Sequence, residues 1–285
     1  MSFLSSHEIG LGKGQSLKIS HYFGLALAAL SLGSLPHAAL AQKFVLSGDT
    51  SICVPLSPSN GAYNPGNQQF FRNVLGSGTK VAIFDSQLSD YFLAQATSLN
   101  NFYNSISGVT STGFMGTITP TSLAGANLFV AVVPSSAFAK SEIAALQTFS
   151  SGGGTIFFLG DGNGATPGSN ANINAALTSL GSTLQLVPDT IDPITYHTIS
   201  GPNIAANPLT AGITSFSYVY TSQVSGGTNL FFTQTGSAPF VAESGFPAVP
   251  EASTTASFGL LIVLGFGGLV AAGKRHKSVG SHSVD

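Results

Sequence analysis

The chain has 285 residues, a formal net charge of −2 and only 7% charged residues, whereas typical soluble domains carry about 25%. No cluster of Lys and Arg occurs between residues 42 and 244, which excludes nucleic-acid binding because phosphate contacts require clustered basic side chains. In the same region the only cysteine is Cys53 and the only histidine is His197. These counts exclude an internal disulfide and a Cys/His zinc site.

The amino-terminal segment has the pattern of a secretory signal peptide. Two lysines precede an apolar run over residues 23–35, which is short for a membrane span. The sequence Ala39-Leu40-Ala41 then fits the small-x-small rule for cleavage. Residues 1–41 are therefore predicted to be a signal peptide, with Gln42 as the mature amino terminus. The alternative is a buried helix of the fold.

In the body, short strand patterns alternate with helical ones. The apolar run at residues 80–84 is nearly continuous, which indicates a strand buried on both faces and hence a parallel sheet. The predicted strands are 43–47, 80–84, 114–118, 127–133, 155–159 and 184–187, followed by a hairpin of 229–233 and 239–243. The predicted helices are 67–75, one capped by Ser89, one capped by Ser136 or Ser141, and one over 173–180. This alternation predicts an α/β fold with a mainly parallel sheet flanked by helices, and residues 188–228 are predicted to be largely loop.

Three segments of the body are similar to class I glutamine amidotransferase-like domains. They read Ala-Gly-Ala-Asn-Leu-Phe-Val at 124–130, Glu-Ile-Ala-Ala-Leu-Gln-Thr-Phe at 142–149 and Gly-Gly-Gly-Thr-Ile at 152–156. The resemblance implies a flavodoxin/amidotransferase-like sheet. Catalytic members carry a cysteine on the sharp turn after the glycine-rich strand, whereas this turn reads Leu159-Gly160-Asp161-Gly162. The resemblance therefore implies the fold, and no catalytic residue is assigned.

The carboxyl-terminal tail has three parts. Val249-Pro250-Glu251-Ala252 is followed by an uncharged run to residue 273 and then by the basic cluster 274–277. The run is about 20 residues, long enough to cross a bilayer core of roughly 30 Å, and basic residues beside a span stay in the cytoplasm. The tail resembles the PEP-CTERM signal, which exosortase membrane transpeptidases process: Val249, Pro250 and Glu251 match, and Ala252 replaces the family's second proline. The alternative is an ordinary membrane anchor, and both place the body outside the cytoplasm.

These patterns divide the chain into five predicted segments. They are the signal peptide 1–41, the α/β amidotransferase-like domain 42–244, the linker with the sorting motif 245–256, the transmembrane helix 257–273 and the basic cytoplasmic tail 274–285. We expect a membrane-anchored precursor that becomes a cell-surface or extracellular protein. The tail resemblance implies two partners besides the membrane, an exosortase-type transpeptidase and extracellular polysaccharide.

Polar residues follow four of the predicted strands. They are Asp49, Asp85, Ser135 and Asp161. In open parallel sheets ligands bind beyond the carboxyl ends of the strands, so these residues are the candidate ligand-binding site, and Asp85 and Asp161 are expected to line one concavity. Carboxylates there suit sugar hydroxyls or a hard cation such as calcium. The alternative is that the acids cap helices, which is common after strands.

Three other motifs give no site. Gly160-x-Gly162-x-x-Ala165 lacks the acidic partner that a dinucleotide loop requires about 20 residues later. The sequence Asp161-Gly162-Asn163-Gly164 lacks the further ligands of a calcium loop. A dyad of Cys53 and His197 would require the two to converge in space, and Cys53 is predicted to be a small buried residue instead. We therefore predict no cofactor and no metal site.

Three functional hypotheses remain open from the sequence. The first is a non-catalytic exported surface protein whose domain binds envelope material or exopolysaccharide. The second is a carboxylate-dependent hydrolase that acts on extracellular glycans or amides. The third is a purely structural component of the extracellular matrix.

Overall fold

The computed structural model describes residues 42–56, 63–85, 89–192 and 195–246. The predicted signal peptide, the sorting motif at Val249, Pro250 and Glu251, the membrane span and the basic tail all lie outside these ranges. Among the described residues, no helix combines the length and the apolar character needed to cross a membrane.

The domain is built on a central sheet in which most neighbouring strands are parallel. Its strands are β1 (Lys43–Ser47), β2 (Lys80–Asp85), β3 (Thr110–Phe114), β4 (Leu128–Val132), β5 (Thr155–Leu159), β10 (Thr228–Phe232) and β11 (Pro239–Ser244). Their order is β10-β11-β1-β5-β4-β2-β3. The run β1-β5-β4-β2-β3 is parallel, and β11 and β10 extend it as an antiparallel pair. The predicted α/β class, the mainly parallel sheet and the closing hairpin are therefore confirmed.

The remaining elements cover the two faces of the sheet. The helices are α1 (Pro65–Leu75), α2 (Asp90–Asn104), α3 (Lys140–Ser151) and α4 (Pro167–Ser179), with short 3-10 helices at Ser51–Leu56, Gly201–Asn203 and Pro208–Thr210. Two small antiparallel pairs join β6 (Gln185–Leu186) to β9 (Val224–Ser225) and β7 (His197–Ser200) to β8 (Ser215–Tyr218). Within the described residues, the predicted strand 184–187 is thus a two-residue strand outside the main sheet.

Alternation along the strands produces two hydrophobic cores. On β1, Val45 belongs to the core that contains α1 and α2, whereas Leu46 belongs to the core that contains α3 and α4. Successive side chains of a strand point to opposite faces, so a continuous apolar run is needed to fill both cores. The first core is centred on Phe70 of α1, whose ring makes edge contacts with Phe157, Phe216 and Phe231.

Three local predictions were wrong: the range of one strand, the capping residue of one helix and the loop assignment of one region. The strand predicted at 114–118 lies at Thr110–Phe114, because it is an edge strand and needs no apolar run. Neither Ser136 nor Ser141 caps α3; the capping position is Ala139, whose N–H is bound by the Glu142 carboxylate at 2.7 Å. The region predicted to be loop after residue 188 contains the β7–β8 hairpin and β9.

Candidate functional site

Strand order determines which sequence-predicted site residues meet. β1 and β5 are parallel neighbours in which Ser47 pairs with Leu159. Asp49 and Asp161 each lie two residues after one of these paired residues, so they leave the sheet at the same level. Asp85 ends β2 and pairs with Val132 of β4, which lies between β2 and β5. We refer to this end of the parallel strands as the carboxyl edge.

Asp49 and Asp161 form a buried acid pair at the carboxyl edge. Asp49 is fully buried and Asp161 is 4% exposed. Oδ1 of Asp49 accepts the N–H of Ser51 at 2.6 Å, and Oδ2 accepts the N–H of Val219 at 2.8 Å. Oδ2 of Asp161 accepts the Thr50 hydroxyl at 2.7 Å, and Oδ1 accepts the N–H of Gly162 at 2.7 Å. All four carboxyl oxygens therefore bind groups of the same chain.

Burial determines the charge state of the acid pair. Removal from water disfavours the ionised form, and it raises the pKa of Asp161 from its ordinary value of 3.8 to about 7, although the hydrogen bonds from Thr50 and Gly162 act in the opposite direction. The pKa of Asp49 is raised well above 3.8, first by burial and then by the negative charge of Asp161. The pair therefore retains a proton close to neutral pH.

The loops that carry the two acids are fixed by a second layer of hydrogen bonds. Nδ2 of Asn170 in α4 donates to the carbonyl of Asp161 at 2.7 Å, and the Ser222 hydroxyl lies 2.9 Å from the same carbonyl. The N–H of Ser222 donates to the carbonyl of Gly48 at 2.9 Å. A Cβ at Gly48 would lie 1.9 Å from the Ser222 carbonyl oxygen, so this close approach requires glycine.

Two strained residues hold the loop after β5. Val133 and Tyr220 have φ values of 42° and 48°, a region that β-branched and bulky residues rarely adopt. The N–H of Val133 donates to the Leu159 carbonyl at 2.9 Å, and the Tyr220 carbonyl accepts from Gly162 at 3.0 Å. Both strained residues thus bind the segment that presents Asp161, and surrounding contacts must stabilise such conformations.

Asp85 and Ser135 lie together in a separate cavity. The cavity has a volume of about 230 Å³, and its lining includes Met115, Phe138 and Glu142 as well as these two residues. Asp85 is 6% exposed. The Glu142 carboxylate binds the N–H groups of Ile118 and Ala139, so it shapes the wall of the cavity.

The four sequence-predicted residues therefore fall into two pairs, Asp49 with Asp161 and Asp85 with Ser135. Asp161 is buried and directs its carboxylate to Thr50 and Gly162, whereas Asp85 lines the cavity of about 230 Å³. Adjacent strands lie about 4.8 Å apart, and β4, which Ser135 follows, lies between β5, which Asp161 follows, and β2, which ends in Asp85.

The structure does not join Cys53 to His197. Cys53 is fully buried in the first core, where burial raises the pKa of its thiol. Nδ1 of His197 lies 2.9 Å from Oε1 of Gln234, and the imidazole lies 5.5 Å from the ring of Tyr218. In the part of the chain that the structure describes, no group of three or more His, Cys, Asp or Glu residues could hold a metal ion.

One further cavity at this end of the domain escaped the sequence analysis. It has a volume of about 380 Å³ and is lined by Tyr63, Asn64, Pro65, Tyr196, Thr198, Ser215 and Ser217. Tyr63 and Tyr196 are 40% and 42% exposed. In the sequence this cavity is indicated only by two tyrosines in polar, proline-containing segments about 130 residues apart. Nothing in either segment indicates that the two tyrosines meet.

Comparisons with known proteins assign this chain to no family. No family model matches the sequence, and no curated protein matches it. Among solved structures, one that matches is described as "mmIFT52 N-terminal domain". It is 17% identical over 57% of this chain and 75% of that chain, with a TM-score of 0.44. This likeness is too low to carry an argument about fold or activity.

Proposed function

We propose that this protein is an exported surface protein whose α/β domain has a binding or structural role and catalyses no reaction. The observation that carries the non-catalytic part is the saturation of the acid pair. Asp49 and Asp161 direct their carboxyl oxygens to Ser51, Val219, Thr50 and Gly162. A catalytic carboxyl must reach the reacting atoms of a substrate, and these oxygens are buried and already bound.

The proposed location rests on the two ends of the sequence. The signal-peptide pattern over residues 1–41 favours export, and the tail from Val249 onwards combines the motif, the apolar run and the basic cluster. Together they support a membrane-anchored precursor that an exosortase-type transpeptidase processes at Val249, Pro250 and Glu251. The protein would then associate with the envelope and with exopolysaccharide.

We also propose that the fold is a non-catalytic version of the flavodoxin/amidotransferase-like domain. Its support is the similarity of residues 124–130, 142–149 and 152–156, together with a parallel run of five strands among the described residues. The turn after β5 carries Gly160-Asp161-Gly162 where a catalytic relative carries cysteine.

Processing of the tail tests the proposed sorting. The protein is expressed in an exosortase-positive host and in the same host lacking that gene, and the carboxyl terminus of the surface protein is identified by mass spectrometry. We expect loss of residues 274–285 only when the enzyme is present, and retention of those residues in a Glu251→Ala variant. An intact tail on all surface protein in the positive host would favour the ordinary anchor.

One observation favours the hydrolase as a second candidate. The raised pKa of Asp161, about 7, is the property of a carboxyl group that donates a proton at neutral pH. Purified protein would be screened on glycans, amides and esters. Turnover that Asp161→Asn abolishes and Asp85→Asn preserves would establish the hydrolase and reject the non-catalytic role.

A further inference from the structure

The cavity between Tyr63 and Tyr196, here called the tyrosine cleft, is built by three separate parts of the domain. Tyr63, Asn64 and Pro65 lie at the start of α1, Tyr196 and Thr198 at the start of β7, and Ser215 and Ser217 on β8. Its volume of about 380 Å³ falls in the range of small-ligand sites, roughly 300–1,000 Å³.

The floor of the tyrosine cleft is an ordered network of uncharged polar groups. Asn64 is 5% exposed, and its Nδ2 donates to Oγ of Ser217 at 3.0 Å while its Oδ1 lies 3.2 Å from Oγ of Ser215. Oγ of Ser217 lies 3.1 Å from Oγ1 of Thr198. These groups are fixed by one another, so a ligand would meet donors and acceptors that are already oriented.

Two tyrosine rings line the same space. Tyr63 and Tyr196 are among the few large apolar side chains that the described part of the domain leaves exposed, with 40% and 42% of their surface accessible. An aromatic ring offers a broad apolar face with few rotatable bonds, which makes tyrosine an effective contact residue at modest entropic cost. Exposed aromatic rings next to oriented polar groups are typical of a ligand-binding site.

The charge around the tyrosine cleft selects the class of ligand. None of the described residues that line it carries a formal charge, so these residues offer no cationic partner for a sulfate, phosphate or uronic-acid group. Asp49 and Asp161 also act on Tyr196, since both contribute to the raised pKa of its phenol after burial itself. Because the pKa of the Tyr196 phenol is raised, the phenol stays protonated at neutral pH and can donate a hydrogen bond.

We infer that the tyrosine cleft binds neutral polysaccharide, with the two rings packing on the apolar faces of sugar rings and Asn64, Thr198 and Ser215 binding sugar hydroxyls. This inference rests on the proposed function and identifies the ligand class of its binding role. A pyranose has alternating C–H faces and hydroxyl edges, which match two aromatic walls above a polar floor. Cations are the competing class, because tyrosine faces also attract them.

Affinity electrophoresis tests the inference with the full-length protein in detergent. Native gels contain dextran, laminarin or galactomannan as neutral probes, alginate as the anionic probe and chitosan as the cationic probe. We expect retardation by at least one neutral polymer, at least a tenfold loss of that affinity in Tyr63→Ala and Tyr196→Ala, and retention within about threefold in Tyr63→Phe and Tyr196→Phe. The control is Leu93→Ala, which trims an exposed side chain of α2 that does not line the cleft.

A fluorescent variant provides an independent readout. The sequence contains no tryptophan, so Tyr196→Trp introduces a single indole into the cleft while retaining an aromatic ring. Oligosaccharide fragments of the retarding polymer should shift its emission saturably. Thermal melting of each variant checks folding, and the exposure of both tyrosines predicts that their truncation spares the core.

The outcomes separate this inference from the proposed function. If both Ala variants bind a neutral polymer as tightly as the wild type, the tyrosine cleft is not the binding site. The protein would still be a polysaccharide-binding surface protein. Retardation by chitosan or alginate alone, or by no polymer, would overturn the neutral-ligand assignment, whereas tail processing would still report on sorting. Loss of affinity in the Ala variants together with a saturable indole shift would establish the site.

Discussion

The hydroxyl of Thr50 donates a 2.7 Å hydrogen bond to Oδ2 of Asp161, and through it the loop after β1 holds the acid that follows β5. Thr50 is fully buried and neighbours Asp49 in sequence. The loop after β1 therefore supplies both Asp49 and the donor that stabilises Asp161.

Stability should fall as pH rises, because the acid pair favours its protonated form in the folded state. The pKa of Asp161 is about 7 in the folded domain against 3.8 ordinarily. Its contribution is fully present below about pH 4 and is lost as pH rises to about 7. One pH unit corresponds to about 1.4 kcal/mol, so the loss is on the order of a few kcal/mol. Urea denaturation from pH 4 to 9 measures it.

The matched variant for this pH dependence is Asp161→Asn, which keeps the shape and cannot ionise. We expect a smaller decline with pH than in the wild type and a gain in relative stability at pH 8. A residual slope of the same sign should remain, because the pKa values of Asp49 and Glu243 are also raised. Identical pH profiles for the wild type and Asp161→Asn would contradict the assignment.

Removal of the Thr50 hydroxyl should destabilise the domain at pH 8 more than at pH 5. Thr50→Val deletes the donor to Asp161, and a hydrogen bond to an ionised group contributes about 1.5–3 kcal/mol. At pH 5 the acid is largely protonated and needs the donor less. Thr50→Ser retains the hydroxyl and is the control. Equal losses at both pH values would mean that Thr50 acts through packing alone.

Two glycines at equivalent helix positions should respond in opposite directions to alanine. Gly66 and Gly168 each follow the proline that begins a helix. A Cβ at Gly66 would lie 1.8 Å from the Ser215 carbonyl oxygen, whereas a Cβ at Gly168 meets no atom within 4 Å.

We expect Gly66→Ala to cost more than about 2 kcal/mol, since α1 must move away from β8, and also to weaken binding in the tyrosine cleft. Gly168→Ala should be neutral or stabilising by about 0.5–1 kcal/mol. Thermal and urea denaturation compare the two. Similar effects of both substitutions would contradict the close approach of α1 to β8.

The thiol of Cys53 should be unreactive in the folded protein. It is fully buried and the pKa of the thiol is raised by burial and by Asp49, so little reactive thiolate forms. Ellman's reagent should titrate about one thiol only after denaturant is added. Cys53→Ser should cost about 1–3 kcal/mol because it buries a hydroxyl in an apolar core, and Cys53→Ala is the less polar control. Rapid native labelling would show that the site opens.

Local sequence was sufficient for strands that are buried on both faces. β2, β4 and β5 could be predicted because their apolar runs supply both cores. β3 was misplaced because an edge strand made of Thr110, Ser111 and Thr112 has no such run. The β7–β8 hairpin was missed because its strands are only four residues long and rich in Ser and Thr.

The candidate sites depend on contacts between distant parts of the chain. Asp49 meets Asp161 because β1 pairs with β5, 111 residues separate Thr50 from Asp161, and no local pattern encodes that pairing. The tyrosine cleft requires Asn64 to reach Ser217, which lies 153 residues later. Sequence could therefore place acids after strands but could not pair them or find the cleft.

The pairing of β11 with β1 has a mechanical consequence for a tethered protein. Phe44 pairs with Ser244, so the polypeptide leaves the sheet toward its tail at the end opposite the acid pair. Antiparallel hydrogen bonds run perpendicular to the strands, and β11 has a partner on each side. If the protein is anchored through its carboxyl-terminal tail as proposed and binds a polymer in the tyrosine cleft, tension between the two would act along β11. It would then strain both rows of hydrogen bonds together in shear, instead of breaking them one at a time.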